Sequence, residues 1–156
     1  MEKARQRQIT IFAVLSVLVI GFIFGNSLPS IEESRAQSGI LVELLRRILD
    51  PFEKWPEAEF HRFVRKMAHL TEFGLLGACL GGLTDGLKPD FWRSVYMFFV
   101  LFSVLAVAVT DEFIQSFTGR GSMVADVVLD FAGGTLGLLG MCICLTVLRR
   151  LLKREG

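Results

Sequence analysis

Arg65, Lys66, His69 and Glu72 stand at the start of one apolar segment, Asp111, Glu112 and Gln115 at the end of another, and Asp126 and Asp130 at the start of a third. An imidazole, several carboxylates and nearby cations could move a proton, hold a metal ion or grip a charged headgroup. At about 100° per residue, Arg65, His69 and Glu72 fall within a roughly 60° arc of one helix, with Lys66 beside them. Asp111 and Gln115 are four apart and Glu112 and Gln115 three apart, so the amide can help to hold either acid. Asp126, Asp130, Gly133 and Gly137 share a second arc of roughly 60°, so that acidic face continues as a GxxxG pattern. The glycines would let a neighbouring backbone approach and turn the aspartates into a helix bundle. A second row of small residues, Gly74, Gly77 and Gly81, lies opposite Glu72 and is expected to pack the first apolar segment.

The elements that carry these groups are too apolar for an ordinary soluble domain. The chain has 156 residues, of which 52% are hydrophobic, and a mean hydropathy of +0.51. The spacing predicts an all-α polytopic membrane protein, a single domain over residues 1–156, with four spans at about 9–28, 67–83, 91–110 and 124–148. The first apolar stretch, Ile9 to Phe24, exceeds the apolar run of about 7 to 15 residues usual in a signal peptide, and Gly25-Asn26-Ser27 is a weak cleavage signal. It is expected to remain as an anchor. A net charge of +1 and basic residues without aromatic interleaving leave no nucleic-acid footprint. Cys79, Cys142 and Cys144 all lie in apolar segments, an odd count that does not make a disulfide framework. Cys142 and Cys144 fall on different helix faces, so they read as packing residues.

Orientation follows from basic residues near the span ends. Lys3, Arg5 and Arg7, then Lys88 and Arg93, then Arg149, Arg150, Lys153 and Arg154 share one side. Both termini are therefore expected in the cytoplasm, with the polar cluster facing the exterior. Trp55 and Trp92 suit opposite interfaces. The external loop 29–66 contains Ile40, Leu41, Leu44, Leu45, Ile48 and Leu49 at helical spacing, opposite Glu43, Arg46, Arg47 and Asp50. This predicts an amphipathic interfacial helix, capped by Ser38 and ended before Pro51. A further helix is expected from Pro56, with Phe60, Phe63, Val64 and Met67 as a stripe running into the second span.

An ionisable side chain at membrane depth costs roughly 2.5–3.5 kcal/mol on insertion scales, so the cluster needs pairing, a metal or a watery pocket. Three chemistries fit it. In a buried network, Arg65 and His69 neutralise the acids and fix helix register. As a divalent-metal site, its ligands would come from His69, Glu72, Glu112 and Asp126, with Asp111 a further candidate. In a pocket for a charged headgroup, Arg65, Lys66 and Arg120 hold phosphate or carboxylate while Gln115 and Asp130 complete the binding surface. If chemistry occurs there, His69, Glu72, Asp111, Glu112 and Asp126 are the candidate catalytic groups. Ser122 has no defensible spacing to a histidine and reads as a cap for the last helix. An acidic ladder from Asp126 to Asp130 would also suit a small transporter or proton pathway, but no ionisable residue continues it before Arg149.

Lys66-Met67-Ala68-His69-Leu70-Thr71-Glu72-Phe73, Asp111-Glu112-Phe113-Ile114-Gln115, and Arg120 followed by Asp126 and Gly133 together resemble the VanZ family. The resemblance runs from about Arg65 to Leu139. It implies a small bacterial cell-membrane protein of four or so helices, in a family named for a member linked to resistance to the glycopeptide teicoplanin. It also implies envelope partners, membrane lipid or a lipid-linked precursor, and places the motif on Lys66, His69, Glu72, Asp111, Glu112, Gln115, Arg120 and Asp126. Phe73 stands where family members often carry tyrosine, and Asp130 where they often carry asparagine, which adds a carboxylate to the cluster.

Overall fold

A computed structural model describes residues 2–29, 39, 42–50, 54–87, 95–118 and 123–152. These form helices α1 (Glu2–Ser27), α2 (42–49), α3 (Glu57–Leu87), α4 (Tyr96–Phe117) and α5 (Val124–Leu152), with no strand among the described residues. Helices α1, α4 and α5 are long and apolar enough to cross a membrane. Helix α3 has 31 residues and a length of about 46 Å, but it is the least apolar of the four long helices because it carries the charged motif and a run of glycines. Its position explains that composition. It packs against α1, α4 and α5 at once, so little of its surface has to meet lipid.

The element starts follow local chemistry. The carbonyl of Pro56 accepts the first backbone bonds of α3, from Glu59 and Phe60, and Glu57 and Glu59 place negative charge at the positive end of the helix dipole. At α5 the carbonyl of Met123 accepts from Asp126 and Val127, while its own N–H donates to Oε2 of Glu112 at 3.0 Å. A carboxylate from another helix thus does what the glutamate of a capping box does within one. Helix α4 runs on to Phe117, past the expected end of the third span, so Asp111, Glu112 and Gln115 are all helical.

The glycine rows meet each other. A Cβ on Gly137 would lie 1.7 Å from the carbonyl oxygen of Gly74, and one on Gly77 would lie 1.9 Å from that of Gly134. Gly133 sits against Leu70 in the same way, at 2.5 Å. The expectation that Gly74, Gly77 and Gly81 pack the first span is therefore corrected: they face α5, with Gly81 against Leu138 and Met141. Two small-residue faces bring backbones closer together than one such face against large side chains. The first helix instead uses Gly82, which seats the ring of Phe12, and Gly86, which meets Ile9 and Gln8. Below the polar end, Ile23, Phe73, Leu76, Val104, Ala108 and Leu138 form the common core.

Outside this core the surface is apolar. Phe98, Phe99, Phe102, Phe113 and Phe117 of α4, Val17, Leu18 and Phe22 of α1, and Leu136 and Ile143 of α5 are exposed. A continuous surface of this kind has lipid as its natural solvent.

Helix α2 inserts Val42 and Leu45 against Phe60, Phe63 and Val64 of α3. It leaves Leu44 and Ile48 exposed beside a Glu43–Arg47 ion pair. Ser38, Ile40, Leu41 and Pro51 of the predicted amphipathic helix lie outside the described residues, as do Lys88, Trp92, Arg93, Lys153 and Arg154.

Asp50 closes α2 by accepting backbone N–H bonds from Trp55 and Lys54, both at 2.9 Å. The Trp55 bond first, then that of Lys54 and the charges of Arg46 and Lys54, hold its carboxyl below the usual carboxylate range. A depressed folded pKa contributes stability above the unfolded value and loses it as pH falls through the folded one. In a Trp92→Phe background, Trp55 fluorescence should therefore stay constant down to about pH 4 and change only below it. Asp50→Asn should remove that transition, and a transition that persists in this variant would disprove the assignment.

Candidate functional site

Three helix ends and an interior stretch of α3 meet at one end of the bundle. Residues 65–72 of α3, the last turns of α4 and the first turns of α5 converge as their charges implied, and the end of α1 joins them. Lys66 Nζ donates to Asp126 Oδ1 at 2.7 Å, tying α3 to α5. Asn26 Nδ2 donates to Glu72 Oε1 at 2.9 Å, tying α1 to α3. The Ser27 hydroxyl donates to Asp111 Oδ1 at 2.6 Å, and Gln115 Nε2 donates to Asp111 Oδ2 at 2.7 Å. Thr118 Oγ1 reaches the carbonyl of Ser27 at 3.4 Å, so the ends of α1 and α4 are pinned together.

His69 occupies the centre. Its Nδ1 lies 3.7 Å from Asp111 Oδ2 and 3.9 Å from Asp130 Oδ1. One ligand atom from each of these three side chains falls within 4.8 Å of the other two. Asp111 is fully buried and Asp130 is 1% exposed. Asp111 has two hydrogen bonds to share its charge, but neither oxygen of Asp130 has a hydrogen-bond partner among the described residues. Glu72 uses one oxygen on Asn26, and its other oxygen is buried with no such partner.

Arg65, Lys66, His69, Glu112, Gln115, Asp126, Leu129 and Asp130 line a pocket of about 20 Å³, room for one water molecule or one ion. Glu112, Asp126 and Asp130 line it with Arg65, Lys66 and His69, while Asp111 lies beside His69 and Glu72 on Asn26. The described part of the site is therefore rich in acceptors.

The geometry sorts the predicted site residues. His69, Asp111 and Asp130 converge at the centre, while Arg65, Lys66, Glu112, Gln115 and Asp126 line the pocket around them. Glu72 stands one turn deeper, on Asn26. Arg120 and Ser122 lie outside the described residues. Asn26 and Ser27 belong to the site but carry no charge and close an apolar run, so they stood out only as a weak cleavage signal. Their polarity at the end of an apolar run was the available cue, since the neighbouring ends of α4 and α5 are polar too.

The profile of the VanZ/LLP1 family matches residues 12–146, which include α3 and α4 whole, most of α1 and α5, and the whole polar cluster. The chain belongs to the VanZ/LLP1 family. No curated protein and no solved structure matches it.

Proposed function

We propose that this VanZ-family membrane protein uses the polar end of its bundle as an outward-facing pocket that recognises or modifies a cell-envelope component, a lipid headgroup or a lipid-linked precursor. On this reading α3 is the fourth transmembrane helix, α2 lies in the outer interface, and both termini are cytoplasmic. The basic residues of α1 and of the end of α5 support that orientation.

The observation that carries the reading is Asp130. A buried carboxylate with both oxygens unsatisfied among the described residues is costly, and a scaffold free to evolve for stability alone would replace it. Groups kept at such cost are kept for what they bind. Arg65 and Lys66 at the pocket rim supply donors for phosphate or carboxylate, and His69 and the acids supply acceptors and a proton carrier.

His69→Asn, Glu72→Gln, Asp111→Asn and Asp126→Asn test this in cells, read by membrane abundance and by teicoplanin susceptibility in the same culture. Each variant should keep near wild-type abundance and lose the wild-type effect on susceptibility. Full effect in all four properly inserted variants would end the pocket reading.

A further inference from the structure

We infer that His69, Asp111 and Asp130 bind a divalent metal ion of zinc-like preference, one from each of α3, α4 and α5. The inference deepens the envelope-pocket reading and rests on it for the identity of the open side of the metal.

Donor chemistry comes first. One imidazole and two carboxylates make a mixed nitrogen and oxygen set suited to zinc, and three protein ligands with one open position is the arrangement of catalytic zinc sites. The spacing is near what such a site needs. Ligands at about 2.0–2.2 Å from a tetrahedral metal lie about 3.4 Å from one another. The His69 nitrogen is 3.7 Å from Asp111 Oδ2 and 3.9 Å from Asp130 Oδ1, and all three donor atoms lie within 4.8 Å of one another, so side-chain shifts of about 1 Å or less close the set on a metal.

Independent support comes from Asp130. Its carboxylate is 1% exposed, lies beside the His69 nitrogen, and has no hydrogen bond to either oxygen among the described residues. A cation would supply the partner that this group lacks. Asp111 contrasts with it in a way that fits a ligand held from behind. Ser27 and Gln115 fix its two oxygens, which is how outer hydrogen bonds orient a metal-binding carboxylate.

Charge agrees with geometry. Lys66 pairs with Asp126, and His69 is the basic side chain within 4.0 Å of Asp111 and Asp130 among the described residues, so a divalent cation would balance both acids. The roughly 20 Å³ pocket is lined by His69 and Asp130 of the trio and has room for one metal-bound water. Glu112, Gln115 and Asp126 on its wall could orient that water or an envelope oxygen that replaces it.

The test is zinc binding by the detergent-purified full chain, stripped with a chelator, returned to excess zinc sulfate and desalted. Wild type should retain about one zinc per chain and gain thermal stability from it. Asp130→Asn and His69→Asn should lower zinc affinity at least a hundredfold. Ser27→Ala, which removes only an outer bond, should lower it about tenfold to a hundredfold. Asp85→Asn, at the opposite end of the bundle, should leave it unchanged. Helical circular dichroism and elution volume show that each variant is folded. Less than about one zinc per ten wild-type chains overturns the inference, and so does equal zinc retention by folded Asp130→Asn. If wild type binds no zinc while the site variants still lose their effect on teicoplanin susceptibility, the metal is excluded and the pocket reading stands. If zinc binds to the trio but every site variant keeps that effect, the metal stands and the pocket reading falls.

Discussion

Gly137→Ala should lower the melting temperature of the detergent-purified protein on the order of 5–10 °C, whereas Gly140→Ala, one turn further along the same helix, should leave it within about 1 °C. Both changes add a single methyl group, and both improve helix propensity. They differ in what the methyl meets. At Gly140 nothing lies within 4 Å, while at Gly137 the new carbon would fall 1.7 Å from the carbonyl oxygen of Gly74. The obstacle is backbone, so no rotamer change relieves it and α3 must move away from α5. That separation would spread upward, because Gly133 and Gly137 share a face with Asp126 and Asp130 and set how closely those acids approach α3. Zinc affinity and melting temperature should therefore fall together in Gly137→Ala. Equal melting temperatures for the two variants would mean that the glycine crossing is not what holds α3 against α5.

Much of this arrangement could be read from spacing. The faces of α3 and α5 follow from residue numbers alone, because a helix of known period fixes which side chains share an arc. Convergence of the charged stretches followed from connectivity, since consecutive long helices joined by short connections alternate direction. Partner choice did not follow. Glu72 needed a partner that spacing did not name, and the structure gives it the neutral amide of Asn26. Helical arithmetic orders groups within an element but says nothing about which face a neighbouring helix presents. The glycine row illustrates the same gap: Gly74, Gly77 and Gly81 were legible as a contact surface, but the identity of the contacting helix depended on how α5's own glycines complement it. Likewise, the metal trio needed distances. Asp130 and Asp111 lie on different helices, and only packing places both beside His69.

The opposite end of the bundle holds a second polar cluster that had no motif to announce it. Asp85 of α3 is 7% exposed and receives Arg149 Nη2 of α5 at 2.5 Å and Gln8 Nε2 of α1 at 3.2 Å. Arg5 adds donors to the carbonyls of Gly86 and Leu87. One buried carboxylate thus joins three helices, and the two members of its ion pair with Arg149 are not equivalent in what their removal leaves behind. Arg149 is 43% exposed, so without Asp85 its guanidinium can turn toward water or lipid headgroups. Asp85 has no such escape and, among the described residues, would keep only the Gln8 bond. Arg149→Met should therefore cost about 2–4 kcal/mol, against about 1 kcal/mol for Asp85→Asn. Arg149→Met combined with Asp85→Leu should recover most of the loss, because the stranded charge is gone and the replacement side chains can pack. Thermal unfolding of the four proteins in one detergent measures the cycle. Additive losses, or a costlier Asp85→Asn, would show that Arg149 contributes by packing its stem rather than by neutralising Asp85, and would remove electrostatic latching from the account of how α1 and α5 are held to α3.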